Sequence, residues 1–250
     1  MKKLLASIAV IFFCINVIAQ DAATLMAEGT KLETALNEKG AFEKFKAAQR
    51  LQPSNIQALN KCSELCSRIG NREATALARN DYYAAAQKFA SAALKIDANN
   101  SAANCMMAIA LGRVSLEKSG KEKVKAAIEI KKYADIAISK DAGNYKAWHV
   151  LGRWHYELSS LNFIERAAVK VFFGGLPKSS FADAITAFEK AKQISPGFVM
   201  NYYELARAYK KNGQSQKAIA AINTMLKLPD TTEDDAPTKK LARKLLESLQ

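Results

Sequence analysis

Cysteine and histidine are scarce: the 250 residues hold four cysteines and two histidines. One cysteine, Cys14, falls inside an N-terminal apolar run. The others, Cys62, Cys66 and Cys105, are too few and too odd in number for a disulfide framework. Zinc needs three or four convergent ligands. His149 and His155 are six residues apart, point to different helix faces and have no cysteine or paired carboxylate nearby in sequence, so no metal is expected. Local signatures of a nucleophile elbow, a phosphate-binding loop or an HExxH helix are also missing. Nothing positive points to an enzyme or to a cofactor.

Long apolar runs are missing too, apart from the start. MKKLLASIAVIFFCINVIAQ places Lys2 and Lys3 ahead of an apolar stretch from Leu4 to Cys14 and small or mixed residues up to Ala19. This reads as a secretory signal peptide over 1–20, cut after Ala19 or Gln20. An uncleaved anchor is the rival reading, but the stretch is shorter than the ~20 residues that span a bilayer. Phe13 before Cys14 is too bulky for a lipobox. The mature chain, 21–250, is expected outside the cytoplasm, periplasmic or envelope-associated, with no transmembrane segment.

Without Lys2 and Lys3, 35 basic residues stand against 24 acidic ones, a formal +11. That excess favours anionic partners, either an acidic protein or peptide or an anionic lipid. Nucleic acid is not expected, because the basic residues are dispersed without aromatic interleaving and the chain carries an export signal.

One spacing recurs along the mature chain: Ala, Phe four residues on, Ala three further, then Pro or Asp after five more. It appears at Ala41, Phe45, Ala48, Pro53, at Ala85, Phe89, Ala92, Asp97, and at Ala184, Phe188, Ala191, Pro196. Weaker copies are Tyr133, Ile136, Asp141 and Ala218, Ile222, Met225. Positions three and four apart share a helical face. The alanines admit a close neighbour, the aromatic fills the gap, and Pro or Asp ends the helix. Preceding helices carry Trp148, Leu151, Gly152, His155 and Tyr202, Leu205, Ala206, Tyr209, which match the tetratricopeptide pattern W-x2-L-G-x2-Y. Leu25, Gly29 and Leu32 open the first unit, and Cys62 and Cys66 hold the corresponding core positions of the second. A redox pair or metal site at these two cysteines is the rival to plain packing.

The expected fold is all-α, a tetratricopeptide-type solenoid of helical hairpins with units at about 22–55, 56–99, 100–143, 144–198 and 199–230, closed by an amphipathic helix at 237–250. Two units exceed the usual ~34 residues. The second is extended around Asn71 to Asp81 and the fourth by Leu161 to Phe181.

Three segments point beyond the repeat: Ala147-Trp148-His149 through Trp154, Phe172-Phe173-Gly174 ending in Pro177, and Pro196-Gly197-Phe198. Through them the chain resembles the regulator of microtubule dynamics family, most specifically over Asn144 to Gly213. The resemblance implies a helical-repeat fold without enzymatic activity, used for protein association and, in one member, for holding phospholipid. The export signal argues against carrying the microtubule role over.

Two constellations are candidate sites. The exposed stripe of successive first helices should carry Lys146, His149, Arg153 and Tyr156, then Tyr203, Arg207 and Lys210, which suits a carboxylate or phosphate in a concave groove. It is similar to the carboxylate clamp of some tetratricopeptide proteins but lacks that clamp's asparagines; an ordinary solvated face is the plain alternative. The insertion places Phe163, Ile164, Ala167, Ala168, Val171, Phe172 and Phe173 at near-helical spacing. It fits a helix that lies on a membrane, closes an apolar cavity or simply buries its face against neighbours. The leading expectation is an envelope scaffold that holds a protein or peptide in its groove. A lipid or amphiphile carrier, using the insertion as a lid, is the alternative.

Overall fold

Asparagine sets where many of the helices begin. The side chains of Asn37, Asn55, Asn100 and Asn144 accept hydrogen bonds from the amides of Gly40, Ala58, Ala103 and Ala147, and Thr75 and Ser180 do the same for Ala78 and Asp183. A computed structural model describes residues 21–173, 175 and 178–249. The leader read at 1–20 lies outside these, as do the side chains of Ile164, Ala168, Phe172 and Phe173. The described residues form helices and no strand: α1 over 21–34, α2 Glu38–Leu51, α3 Ile56–Arg72, α4 Ala76–Ile96, α5 Ser101–Val114, α6 Gly120–Lys140, α7 Tyr145–Ser159, α8 Phe163–Phe173, α9 Phe181–Ile194, α10 Val199–Lys211, α11 Ser215–Leu226 and α12 Asp235–Glu247. A short 3-10 turn, Ser115–Glu117, joins α5 to α6.

Consecutive helices pack as antiparallel hairpins, with α8 interposed between α7 and α9. First helices also touch one another, α3 on α5, α5 on α7 and α7 on α10, so they form the inner layer of a tetratricopeptide-type solenoid. The small-residue crossings have a steric cause. A Cβ on Gly152 would sit 2.6 Å from the Phe188 ring, and one on Gly29 would sit 2.7 Å from Phe45. Phe45, Phe188, Ala184, Ala191, Ile222 and Met225 are fully buried. The second hairpin departs from the expected register, because its seam runs through Ala86, Ala90 and Ala93 while Ala85, Phe89 and Ala92 are half-buried. Alanines on adjacent positions of α4 offer two small faces, and Phe89 turns to pack edge-on against Phe42, ring centroids 6.3 Å apart. After α10, Gly213 adopts φ 74°. Its amide reaches the Lys210 carbonyl at 3.2 Å and that of Gln214 reaches Tyr209 at 2.9 Å, the doubled bond of a Schellman ending.

The solenoid closes end to end. Glu38, with no exposed surface, opens α2 and lies against the segment ahead of α12, almost the whole chain away in sequence. Its amide donates to Glu233 Oε1 at 2.7 Å, and the Glu233 amide donates to Glu38 Oε1 at 3.1 Å. Arg72 bridges Glu38 Oε2 at 2.6 Å and Asp234 Oδ1 at 2.9 Å, while Arg68 holds the other carboxylate oxygen of Glu38. Removing one partner from a buried ion network is costly, because the charges left behind have no water to replace it. Glu38→Ala should lower the urea-measured unfolding free energy by about 3 kcal/mol. Lys39→Ala, which breaks only the exposed pair with Glu73, should change it by less than about 1 kcal/mol.

Candidate functional site

Closure turns the inner layer into the wall of a chamber of about 950 Å³. Ile109 of α5, Ile130 of α6 and Val150 and Trp154 of α7 supply apolar wall, and Leu161 and Val169 face the same space from α8 and its lead-in. An Asn162–Glu165 capping box sets the start of α8: the Glu165 amide donates to Asn162 Oδ1 at 2.9 Å and the Asn162 amide donates to Glu165 Oε2 at 2.8 Å.

The expected cationic stripe is divided by the fold. Lys146, His149 and Arg153 line the chamber, whereas Tyr156, Tyr203, Arg207 and Lys210 do not. His149 and Tyr156 are buried, which corrects their expected exposure. His149 lies between Phe188 and Phe198, ring centroids 5.5 and 5.0 Å away, because the loop after α9 folds over the face of α7 that the stripe occupies. Most stripe cations meet carboxylates instead of solvent. Lys146 Nζ lies 2.5 Å from Glu64 Oε1; burial alone would lower the lysine's pKa, but Glu64 raises it. Burial likewise opposes ionisation of Glu64, yet Lys146, Lys61 and Arg68 hold its pKa at about 2. Glu204 takes Arg207 at 2.7 Å and Arg153 at 3.8 Å, and the Arg207 guanidinium lies 4.5 Å from the Tyr156 ring centroid. Lys210 donates to Ser248 Oγ at 2.7 Å on the surface.

Sequence reasoning passed over Arg113. It ends α5, a helix with no acidic residue, and lines the chamber. Its Nη1 donates to Asn71 Oδ1 at 2.7 Å, and it makes no ion pair among the described residues. Burial and the nearby Arg153 pull its pKa down, against the opposing attraction of Tyr83, Asp234 and Glu204. Its signal in the sequence was a lone cation closing an otherwise uncharged helix.

In the insertion, Phe163 and Val171 are exposed, so this helix does not bury its whole apolar face. Cys62 and Cys66 are fully buried beside Phe45 and Leu65, and burial pushes both thiols up to about 12, which suits packing. No cluster of described residues is arranged to hold a metal ion. Trp154 is buried, its indole donating to the Ala127 carbonyl at 2.7 Å, while Trp148 is only half-buried.

Beside the chamber lies a second cleft of about 390 Å³, lined by Gln57, Asn60, Lys61, Ala102 and Asn144 among others. Lys61, Glu64 and Lys146 border both spaces. Asn60 Oδ1 is buried there without a hydrogen-bond partner.

His149 gives the chamber wall a pH dependence. Asn201 Nδ2 donates to the Phe188 carbonyl at 2.9 Å, so Asn201 Oδ1 is free to accept from His149 Nδ1–H at 3.0 Å. Burial pulls the His149 pKa from 6.5 to about 4. A histidine whose folded pKa is depressed disfavours the folded state once protonated, so its contribution is whole above pH 6.5 and is lost as pH falls toward 4. Urea midpoints across that window should decline by up to about 3 kcal/mol equivalent, and His149→Gln should flatten the decline.

Residues 21–250 match the family described as regulator of microtubule dynamics protein 1-3. The chain is similar to regulator of microtubule dynamics protein 2 of Rattus norvegicus, 31% identical over 144 residues that make up 57% of this chain and 35% of the relative. It is also similar to protein 3 of Xenopus laevis, 29% identical over 147 residues, 58% of this chain and 32% of that one. The match thus spans about a third of the length of these curated relatives. Among solved structures, a thermophilic TPR protein of Thermus thermophilus superposes with a TM-score of 0.65 at 12% identity, covering 91% of this chain and 98% of that one. Yeast Tom70 gives 0.54 at 14%, covering 92% of this chain and 40% of its own. These structures establish a tetratricopeptide-type helical solenoid. On the strength of the match over 21–250, the chain belongs to the regulator of microtubule dynamics protein 1-3 family.

Proposed function

We propose that the protein works by binding rather than turnover, and that its chamber encloses one amphiphile, apolar portion against α5, α7 and α8, anionic end against Arg113 and Arg153. The observation that carries this reading is Arg113: a half-buried cation with no direct ion pair among the described residues, set in the wall of a space lined also by Ile109, Val150 and Trp154. A volume of about 950 Å³ lies at the upper end of small-molecule sites, which run from ~300 to ~1,000 Å³. An anionic group would meet a planar, weakly hydrated guanidinium there, and burial strengthens that interaction.

A protein or peptide partner is the second reading, and the smaller cleft favours it. Amide side chains from Gln57, Asn60 and Asn144 face a space between first helices, the chemistry that pairs with an extended backbone. Asn60 Oδ1 is buried without a hydrogen-bond partner, and a peptide N–H reaching it would satisfy it.

The site of action that fits the leader is the cell envelope, after export. N-terminal sequencing of the protein recovered from its host should start at Gln20 or Asp21; a start at Met1 counts against export with cleavage. Native mass spectrometry of that protein should show an adduct that moves into organic solvent. Arg113→Met should weaken rebinding of the extracted adduct by roughly tenfold, the loss of about one charge-assisted hydrogen bond. Equal retention by the variant, or a chain that carries nothing, would count against the chamber reading.

A further inference from the structure

The outward side of α8 remains unaccounted for by anything above. Phe163 is 85% exposed and Val171 77% exposed, and the exposed Ala167 lies between them, one helical turn from each. The side facing the chamber is a different one, carrying Leu161, Glu165 and Val169 at the same spacing. Within the helix only Val169 is apolar on the chamber side, whereas the outward side carries Phe163, Ala167 and Val171 in water.

A second rim of the same chamber repeats the combination. Leu116, in the 3-10 turn before α6, is 58% exposed and lines the opening together with Gly120, Lys121 and Lys123. Over 115–125 and 161–178 together, seven cations (Lys118, Lys121, Lys123, Lys125, Arg166, Lys170 and Lys178) stand against three acids (Glu117, Glu122 and Glu165). Of these acids, Glu165 is turned into the capping box and Glu122 is paired with Lys118 at 3.0 Å. Both rims therefore present exposed apolar side chains amid positive charge.

We propose that this edge, α8 with the 115–125 rim, docks on the surface of an anionic bilayer. Phe163, Val171 and Leu116 would enter the boundary between headgroups and acyl chains, and the surrounding lysines would meet lipid phosphates. The chemistry favours a bilayer over a protein partner: the exposed stripe is narrow and mixed with cations, whereas the centres of protein interfaces are depleted of lysine. No described helix is long and apolar enough to cross a membrane, so the mode is surface attachment. Docking in this orientation sets the α8 side of the chamber next to the lipid, but it does not require the chamber to hold a ligand.

The test is sedimentation of the chain from residue 21, which contains every described element and closes on itself, with vesicles of phosphatidylglycerol or of phosphatidylcholine. Binding should favour phosphatidylglycerol by roughly tenfold or more, since each lysine near an anionic surface contributes on the order of fivefold. Phe163→Ser with Val171→Ser should reduce binding to phosphatidylglycerol by at least about tenfold with the helical circular dichroism unchanged, because both side chains are already in water. Lys125→Glu with Lys170→Glu should erase the preference for the anionic lipid. No binding to phosphatidylglycerol, or equal binding by wild type and the serine variant, would overturn the proposal. So would a self-association in sedimentation velocity that the serine variant abolishes, which would make this edge a contact between copies. Adduct retention in the chamber is read separately by native mass spectrometry, so failure of the ligand reading and failure of docking remain distinct.

Discussion

The buried carboxylate of Glu38 is the constraint on which the rest of the molecule depends. A stack of helical hairpins is by default an open spiral, in which each unit contacts only its neighbours. Here Arg68, Arg72 and Glu233 converge on Glu38 and Arg72 carries the network on to Asp234, so the first hairpin and the closing helix hold one another. An open groove would present its inner face to bulk water. The closed form instead makes that face the wall of a chamber, in which the half-buried Arg113 donates to Asn71 and has no ion pair among the described residues.

The placement of α8 belongs to the same arrangement. α8 belongs to no hairpin; its place between α7 and α9 lets it cover the space that the first helices surround. Arg166 ties it down by donating to the carbonyls of Leu158, Ser159 and Leu161, which are end groups of α7 and of the link that follows. The attachment therefore runs mainly through one end of the lid helix, with Phe163 and Val171 left in water.

Much of the fold was legible in the sequence because its signals are local. The spacing of Gly152 and Phe188 specifies a helix crossing through steric fit, and the structure places the ring where the missing Cβ would be. Closure was not legible, since Glu38 and Glu233 look like solvated helix charges until the chain brings them together. Of the candidate stripe, Lys146, His149 and Arg153 line the chamber. Its expected exposure failed for His149 and Tyr156, because helical periodicity gives a face but not what the following loop lays over it. Arg113 was missed because a lone cation at a helix end is ordinary in sequence, and only its place in the chamber wall without a direct ion pair sets it apart.

The most direct measurement is a crystal structure of the protein purified from its own compartment without delipidation. Continuous elongated density in the chamber, running past Val150 and ending at Arg113, is the result that an enclosed amphiphile predicts. A chamber that holds only discrete waters, or one filled by α8 turned inward so that Phe163 occupies it, would contradict that reading.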